Sequence, residues 1–414
     1  MPARARLALA IALVLASPLA ARAQAPGLTA VAIGADLATG AGGTTKLTLT
    51  LSKAVEARAF VMERPDRVVI DLAEVNFQLG PEAGRKREGL VSSFRYGLFA
   101  PGRSRIVVDL AQAATVGRIE TVTRAKDGAV LLSIEFQRAD RDAFRRAAVA
   151  SDPMPAARKA AAVPEASDTR PLIMVDAGHG GIDPGAIAST GVFEKDIVFG
   201  FAQALVSRLE SSGRYRVRMT RDRDVFVPLS DRVRLAREAN ADLFVSIHAD
   251  SISSAPQVRG ATIYTGSERA TDAESAKLAD RENKADAAAG TETQAGPAQV
   301  ADILQELTLR ETRSFSSGFA KGLRAHLSPV MEMSPKPHRE AGFVVLRSPD
   351  VPSVLVELGY LSSKRDLDLL QSETWRSEVT GGMAKAIDAF FGNRTTLTRP
   401  DALKRSAAIA PVSP

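Results

Sequence analysis

Two histidines stand where an α/β chain exposes its reactive groups. His179 follows the apolar segment LIMVDA within the glycine-rich loop GHGGIDPG, and His248 ends the apolar segment DLFVSIH. Both segments are predicted strands, because they are short, apolar and bounded by loop residues. Ligands of α/β domains bind at the carboxyl ends of the strands, so the two histidines are predicted to share a site. Either one alone is more typical of a structural, hydrogen-bonded residue.

Glu194 supplies a candidate carboxylate for the same site. It opens the predicted helix that follows the glycine-rich loop. An acidic residue there also offsets the helix dipole, which is the structural alternative. Two imidazoles and one carboxylate are the protein ligands of one class of catalytic zinc site, which leaves its remaining position to water. Their spacing differs from the helical H-E-x-x-H motif, so spacing alone does not identify the metal.

Glu357 interrupts the apolar run PSVLVELGYL in another predicted strand. An unpaired charge in a buried strand is costly, and a salt bridge at the strand end is the structural alternative. If this strand lies beside those of His179 and His248, Glu357 can take a proton from an attacking water and pass it to a leaving amine. His326, in a helical pattern, and His338, in a loop, are weaker candidates for contact with a metal.

The composition excludes several chemistries. The chain has no cysteine, so disulfides, thiolate nucleophiles and sulfur ligands are ruled out, and a metal site must use His, Asp or Glu. It has neither the G-x-S-x-G nor the G-x-G-x-x-G pattern of serine hydrolases and dinucleotide-binding loops. The net charge of +6 suits an acidic polymer or a membrane surface. No basic stripe interleaves with aromatic residues, so no nucleic-acid partner is expected.

The sequence divides into two predicted domains between short terminal segments. Residues 1–23 have the basic start, short apolar core and small-residue ARA ending of a cleavable signal peptide, and no stable membrane span is expected. Period-two alternation predicts an all-β sandwich, and alternating strands and helices predict an α/β domain with a mostly parallel or mixed sheet flanked by helices. The predicted bounds are 24–140 for the β-sandwich, 141–170 for a flexible linker, 171–393 for the α/β domain and 394–414 for a disordered tail.

The segments VDAGHGGIDPGA, EKDI, SIHAD and PSVLVELGYLSS, in that order, closely resemble the zinc-dependent N-acetylmuramoyl-L-alanine amidases of the bacterial cell wall. The resemblance implies one Zn²⁺ per catalytic domain, held by His179, Glu194 and His248, with Glu357 as the catalytic glutamate. The implied reaction hydrolyses the amide between N-acetylmuramic acid and L-alanine in peptidoglycan. A zinc peptidase acting on stem peptides and a non-catalytic wall-binding protein are the alternatives.

The N-terminal strands, with RPDRVVIDLAEVNF, are similar to the envelope-targeting β-domain of periplasmic cell-division amidases. That similarity implies a periplasmic, septal protein that splits the wall as daughter cells separate. In such amidases a helical insertion covers the zinc site until an activator with a LytM-type domain displaces it. Residues 266–327 correspond to this insertion, and Glu268, Glu274 and Glu282 are candidates for a blocking carboxylate. A merely structural pair of helices is the alternative.

Deleting residues 266–300 is expected to raise basal hydrolysis of peptidoglycan, because a lid that blocks the site is removed. The measurement is product release from purified sacculi by the full chain and by the deletion variant. Unchanged or lower activity in a soluble, folded variant would count against autoinhibition.

Overall fold

The computed structural model describes residues 29–63, 65–80, 82–100, 102–149, 168–252, 257–291 and 303–394. The predicted signal peptide and residues 395–414 of the predicted tail lie outside these ranges. No helix among the described residues is both long enough and apolar enough to cross a membrane.

Residues 29–149 form two facing sheets and are called the β-domain below. One sheet has the strand order β5-β1-β2-β9-β8, and the other has the order β3-β4-β7-β6. Leu47 and Leu49 of the first sheet share a core with Val68 and Ile70 of the second, which confirms the predicted all-β sandwich. The strands are β1 (Ala30–Thr39), β2 (Thr45–Leu51), β3 (Ala57–Met62), β4 (Arg67–Ala73), β5 (Val75–Phe77), β6 (Val91–Ala100), β7 (Arg103–Leu110), β8 (Ala114–Thr123) and β9 (Val130–Arg138).

The start of the predicted linker is a helix instead. Helix α1 spans Arg141–Val149, and Asp140 accepts a hydrogen bond from the backbone N–H of Ala143 at 2.7 Å, as a helix N-cap does. Phe144 is fully buried in the core of the β-domain. A single large apolar residue anchors this helix, so the sequence showed no apolar periodicity there. The rest of the predicted linker, residues 150–167, lies outside the described ranges.

The second half of the chain surrounds a six-stranded mixed sheet, as predicted. Its order is β11-β10-β12-β15-β13-β14, and all neighbouring pairs are parallel except β13 with β15. The strands are β10 (Leu172–Ala177), β11 (Arg216–Met219), β12 (Leu243–His248), β13 (Ala261–Gly266), β14 (Met333–Ala341) and β15 (Ser353–Glu357). The helices are α2 (Glu194–Ser211), α3 (Leu229–Glu238), α4 (Ala273–Glu282), α5 (Ala285–Ala288), α6 (Ile303–Leu327), α7 (Lys364–Leu370) and α8 (Glu373–Arg394).

Helices cover both faces of this sheet, which explains why its central strands are apolar throughout. Ile173 and Val175 of β10 pack in one core with α2, α6 and α8, while Leu172 and Met174 pack in a second core with α3 and α4. The alternation follows from the period of two in a strand.

The predicted helical insertion, residues 266–327, divides into two parts with different roles. Phe319, Leu323 and Leu327 of α6 are fully buried in the larger core, so α6 is a structural helix of the domain. Within the described part of the insertion, Glu282 at the end of α4 lies beside His179 and His248. Residues 292–302, between α5 and α6, lie outside the described ranges.

Phe144→Ala is expected to lower the free energy of unfolding of the β-domain by about 3–5 kcal/mol, because it empties a site in a packed core. Chemical denaturation of the full chain, followed by probes in each domain, measures the loss. Arg146→Ala, on the exposed side of the same helix, is the matched control and should change little. Equal effects of the two substitutions would show that α1 is not anchored by Phe144.

Candidate metal centre

Three adjacent parallel strands bring the predicted site residues to one edge of the sheet. Strand β12 lies between β10 and β15, and His248 is the direct neighbour of Glu357 in the register. His179 lies two residues beyond the end of β10. The expected adjacency of these strands is therefore confirmed, and it places both histidines and Glu357 at the carboxyl edge of the sheet.

Glycines allow the loop after β10 to approach this edge closely. A Cβ atom at Gly178 would lie 2.4 Å from Cε1 of His248, and one at Gly185 would lie 2.6 Å from Cδ2 of His179. His179 itself has a φ of 57°, a left-handed backbone conformation that is uncommon outside glycine. Buried Arg232 holds this turn, because its guanidinium donates to the carbonyls of Ala177 and His179, each at 2.8 Å.

Two imidazoles and two carboxylates meet above the sheet edge. Oε1 of Glu194 lies 3.1 Å from Nε2 of His179 and 3.3 Å from Nδ1 of His248. Oε2 of Glu282 lies 3.5 Å and 3.3 Å from the same two nitrogens. The structure thus brings together the three residues proposed from the sequence as metal ligands, and it adds Glu282 from α4.

The donor set fits a divalent metal such as zinc. Nε2 of His179 and Nδ1 of His248 are buried, and neither has a hydrogen-bond partner among the described residues. Nδ1 of His179 lies 2.8 Å from Oδ2 of Asp183, so Nδ1 carries the proton and the lone pair of Nε2 faces the carboxylates. Imidazole nitrogens and carboxylate oxygens that face one another this closely are stabilised by a proton or a metal ion between them, and zinc takes this mixture of ligands.

The electrostatics of the cluster also favour a positive charge. Burial lowers the pKa of His179, but the charges of Glu194, Asp183 and Glu282 outweigh burial and raise this pKa well above its usual value. Burial raises the pKa of Glu282 to about 7. The carboxylates around His179 therefore favour a positive charge at its imidazole, whereas burial disfavours the charged form of Glu282.

Glu194 is fixed by the backbone on both sides. Its Oε1 accepts a hydrogen bond from the N–H of Ala249, and its Oε2 accepts one from the N–H of Ala186, both at 2.9 Å. Burial raises the pKa of Glu194, but the neighbouring His179 and His248 lower it well below its usual value. The two backbone hydrogen bonds therefore hold the carboxylate of Glu194 in one orientation.

Glu357 is completely buried beside this cluster and has one oxygen available. Its Oε2 accepts a hydrogen bond from the N–H of Asp250 at 3.0 Å, whereas Oε1 has no hydrogen-bond partner among the residues described. Burial raises the pKa of Glu357 well above its usual value, and the charges of Asp250 and Glu194 raise it further. A carboxylate with increased proton affinity and one oxygen not used in a hydrogen bond is suited to accepting a proton.

Of the three candidate blocking glutamates, only Glu282 reaches the site. Glu268 pairs with Arg313 at 3.4 Å and Glu274 pairs with Arg339 at 3.0 Å, and both side chains are largely exposed to solvent. Glu282 is the last residue of α4, and its neighbour Arg281 forms an ion pair with Asp250. Residues 273–290, which carry α4 and α5, are called the lid below.

The sequence analysis did not predict the residues that position the candidate metal ligands. Asp183 orients His179, and its four-residue spacing from His179 in a glycine-rich loop was a usable signal. Asp176 is fully buried and accepts hydrogen bonds from Arg232, Thr220 and Ser246 at 2.6–2.8 Å, which fixes the end of β10. Its place inside an apolar strand was the signal there.

The two remaining histidines lie outside the cluster. His326 bonds through Nδ1 to the carbonyl of Gly322 at 2.9 Å, within α6. Nε2 of His338 lies 3.1 Å from Oγ1 of Thr265.

Comparison with known proteins finds a matching family for each of the two domains. Residues 173–389 match the family described as N-acetylmuramoyl-L-alanine amidase, and residues 34–129 match the AMIN domain family. The chain is 32% identical over 385 residues to the N-acetylmuramoyl-L-alanine amidase AmiC of Neisseria meningitidis serogroup B, across 86% of this chain and 88% of that relative. It is 30% identical over 383 residues to AmiC of Escherichia coli O6:H1, with coverage of 86% and 88%. AmiA of Escherichia coli K12 is 35% identical over 221 residues, which cover 53% of this chain and 76% of the relative.

His248→Ala is expected to abolish stoichiometric Zn²⁺ binding, because it removes one of two imidazole ligands. Asp183→Ala should weaken Zn²⁺ binding by about 10- to 100-fold, because it removes the partner that orients His179. Competition with a chromogenic chelator measures both affinities in the full chain. His326→Ala is the control and should bind as the wild type does; a loss there equal to that of His248→Ala would refute this assignment of the site.

Proposed function

We propose that this chain, which belongs to the N-acetylmuramoyl-L-alanine amidase family, holds a catalytic zinc ion on His179, Glu194 and His248. The reaction of the family hydrolyses the amide between N-acetylmuramic acid and L-alanine in peptidoglycan. One observation carries the proposal. At one sheet edge, two imidazole nitrogens and one oxygen of Glu357 have no hydrogen-bond partner among the described residues, and the fixed carboxylate of Glu194 lies between the imidazoles.

Each residue has a distinct task in this reaction. When bound, zinc supplies a Lewis acid that polarises the amide carbonyl and lowers the pKa of water to about 7. Asp183 holds the imidazole of His179 in the tautomer that leaves Nε2 free, and the N–H groups of Ala186 and Ala249 hold Glu194.

Glu357 moves the proton. The N–H of Asp250 fixes Oε2, so Oε1 accepts a proton from the attacking water. The same proton then passes to the amine nitrogen of L-alanine as the amide C–N bond breaks. This transfer leaves the lactyl group as a carboxylic acid, returns Glu357 to its starting form and releases the stem peptide with a free amino terminus.

The same geometry suits other amide substrates, and the family match selects among them. A zinc peptidase on stem peptides would use the same ligands and base, but the match over residues 173–389 is to amidases of the muramoyl–alanine bond. A purely wall-binding protein would not require an unpartnered general base beside an oriented ligand set. Both alternatives predict different products, which the experiment below separates.

We further propose that the enzyme works in the periplasm at the division septum and rests in a closed state. The N-terminal match to the AMIN domain family and the similarity to AmiC proteins support the location. Glu282 supports the closed state, because its Oε2 lies 3.5 Å and 3.3 Å from the two imidazole nitrogens that are proposed to hold zinc. A LytM-type activator is the proposed partner that withdraws the lid from the site.

Glu357→Gln is expected to retain Zn²⁺ and to lose about 10²- to 10⁴-fold in turnover, because the proton acceptor is removed while the ligands remain. Glu357→Gln and its control, Glu268→Gln, are each made in a chain that also carries Glu282→Ala, so that the carboxylate of Glu282 does not mask activity. Mass spectrometry of digested sacculi measures the products, and Glu268→Gln is the exposed control.

The expected products of the Glu282→Ala chain are stem peptides that begin at L-alanine, together with peptide-free glycan. Cleavage inside the peptides would identify a peptidase instead. Loss of Zn²⁺ from a folded Glu357→Gln variant would show that Glu357 is a ligand rather than the base.

A further inference from the structure

The lid contacts the β-domain as well as the two histidines of the candidate metal site. The chain passes from Glu282 at the end of α4 into α5, and the end of α5 lies against the outer face of the sheet formed by β3, β4, β7 and β6. We infer that this sheet face is a latch that keeps Glu282 in the site. The inference rests on the proposed function, since it concerns the regulation of the same site.

Arginines make the polar part of the latch. Arg67 donates to the carbonyl of Ala287, Arg95 donates to that of Ala288 at 2.9 Å, and Arg105 donates to that of Gly290 at 2.9 Å. Carbonyls at the end of a helix lack the partners of a continuing helix, and each oxygen has two lone pairs, so even that of Ala287, which accepts from the N–H of Gly290, can accept from an arginine. The three arginines therefore bind the backbone of residues 287–290 rather than side chains that a rotamer change could withdraw.

Contacts within the β-domain hold these arginines in position. Asp71 binds the guanidinium of Arg105 through two hydrogen bonds, at 2.6 Å and 3.0 Å, and this guanidinium lies 3.6 Å from the ring centre of Phe99. Asp109 accepts a hydrogen bond from Arg67 at 2.8 Å. A preorganised guanidinium loses less side-chain entropy when it binds, which distinguishes these contacts from exposed surface pairs.

Close apolar packing makes the other part of the latch. Val69 and Val107 point outward from β4 and β7 and pack with buried Ala289 of the lid. A Cβ atom at Gly290 would lie 2.6 Å from Cγ2 of Val69, so no space remains between the lid and the sheet. Ile182, from the loop that carries His179, belongs to the same apolar cluster.

The short distance along the chain couples this contact to the metal cluster. Ala287 follows Glu282 by only five residues. Between them, Asn283 accepts a hydrogen bond from the N–H of Val344, and Asp286 accepts one from the N–H of Leu229. The lid end of α4 therefore cannot leave the site unless α5 also separates from the sheet or the intervening turn rearranges.

Two independent changes test the latch in the full chain. Arg67→Ala with Arg95→Ala removes polar contacts from the sheet side, and its control is Arg58→Ala with Arg118→Ala at exposed arginines of the same domain. Gly290→Ala forces a clash with Val69 from the lid side. Its control is Gly213→Ala, where the backbone has the same left-handed conformation but no atom lies within 4 Å of the new Cβ.

The first readout is hydrogen exchange of the amides of residues 283–290, and the second is product release from sacculi. We expect both test variants to exchange at least about tenfold faster and to release several-fold more product than their controls. Unchanged exchange in folded test variants would overturn the inference. Faster exchange without increased hydrolysis, in a preparation whose Glu282→Ala variant does hydrolyse sacculi, would also overturn it, because the contact would then not govern the site.

The failure of the proposed function is distinguishable from these outcomes. If no variant hydrolyses sacculi, including Glu282→Ala, the proposed amidase activity fails, and the exchange rates still decide whether the sheet holds the lid.

Discussion

Concentrated buried charge at the carboxyl edge of β10, β12 and β15 is the constraint on which the rest of the structure depends. Carboxylates of Glu194, Glu282 and Glu357 lie with two imidazoles in a space from which solvent is largely excluded. Such groups repel one another unless protons, hydrogen-bond donors or a cation compensate them. The N–H groups of Ala249 and Asp250 supply donors to Glu194 and Glu357, and two imidazole nitrogens have no hydrogen-bond partner among the described residues.

Arginines perform the compensating work that lies beneath and beside the cluster. Arg232 neutralises Asp176 and fixes the carbonyl of His179, while Arg221 donates to the carbonyls of Ala177 and Gly178 and to that of Lys195 at the start of α2. Removing one partner of such a buried pair costs about 3–5 kcal/mol. The guanidinium groups thus connect the end of β10 to the helix that carries Glu194. The positions of the candidate metal ligands therefore depend on residues outside the cluster.

The sequence predicted the parts of this structure that local pattern controls. Strand periodicity identified both domains, and strand-end positions identified His179, His248 and Glu357, because parallel neighbours must end at the same edge. The position of Glu194 at the start of the helix after the glycine-rich loop made it a candidate ligand, and the family resemblance then favoured that role over an ordinary helix-start residue. Pattern could not choose Glu282 over Glu268 and Glu274, since that choice depends on where α4 packs after a loop of unpredictable path. It also missed α1, because Phe144 alone anchors that helix and a single apolar residue has no period.

The position of the latch in the chain has a consequence for how the molecule matures. A polypeptide is synthesised from its amino terminus, and domains fold largely as units in that order. The sheet face with Arg67, Arg95 and Arg105 is encoded 185 to 220 residues before the lid segment that it contacts. A β-domain that folds first therefore presents its receiving surface before α4 and α5 form. The proposed latch then implies that the lid closes as the α/β domain folds, rather than in a separate later step.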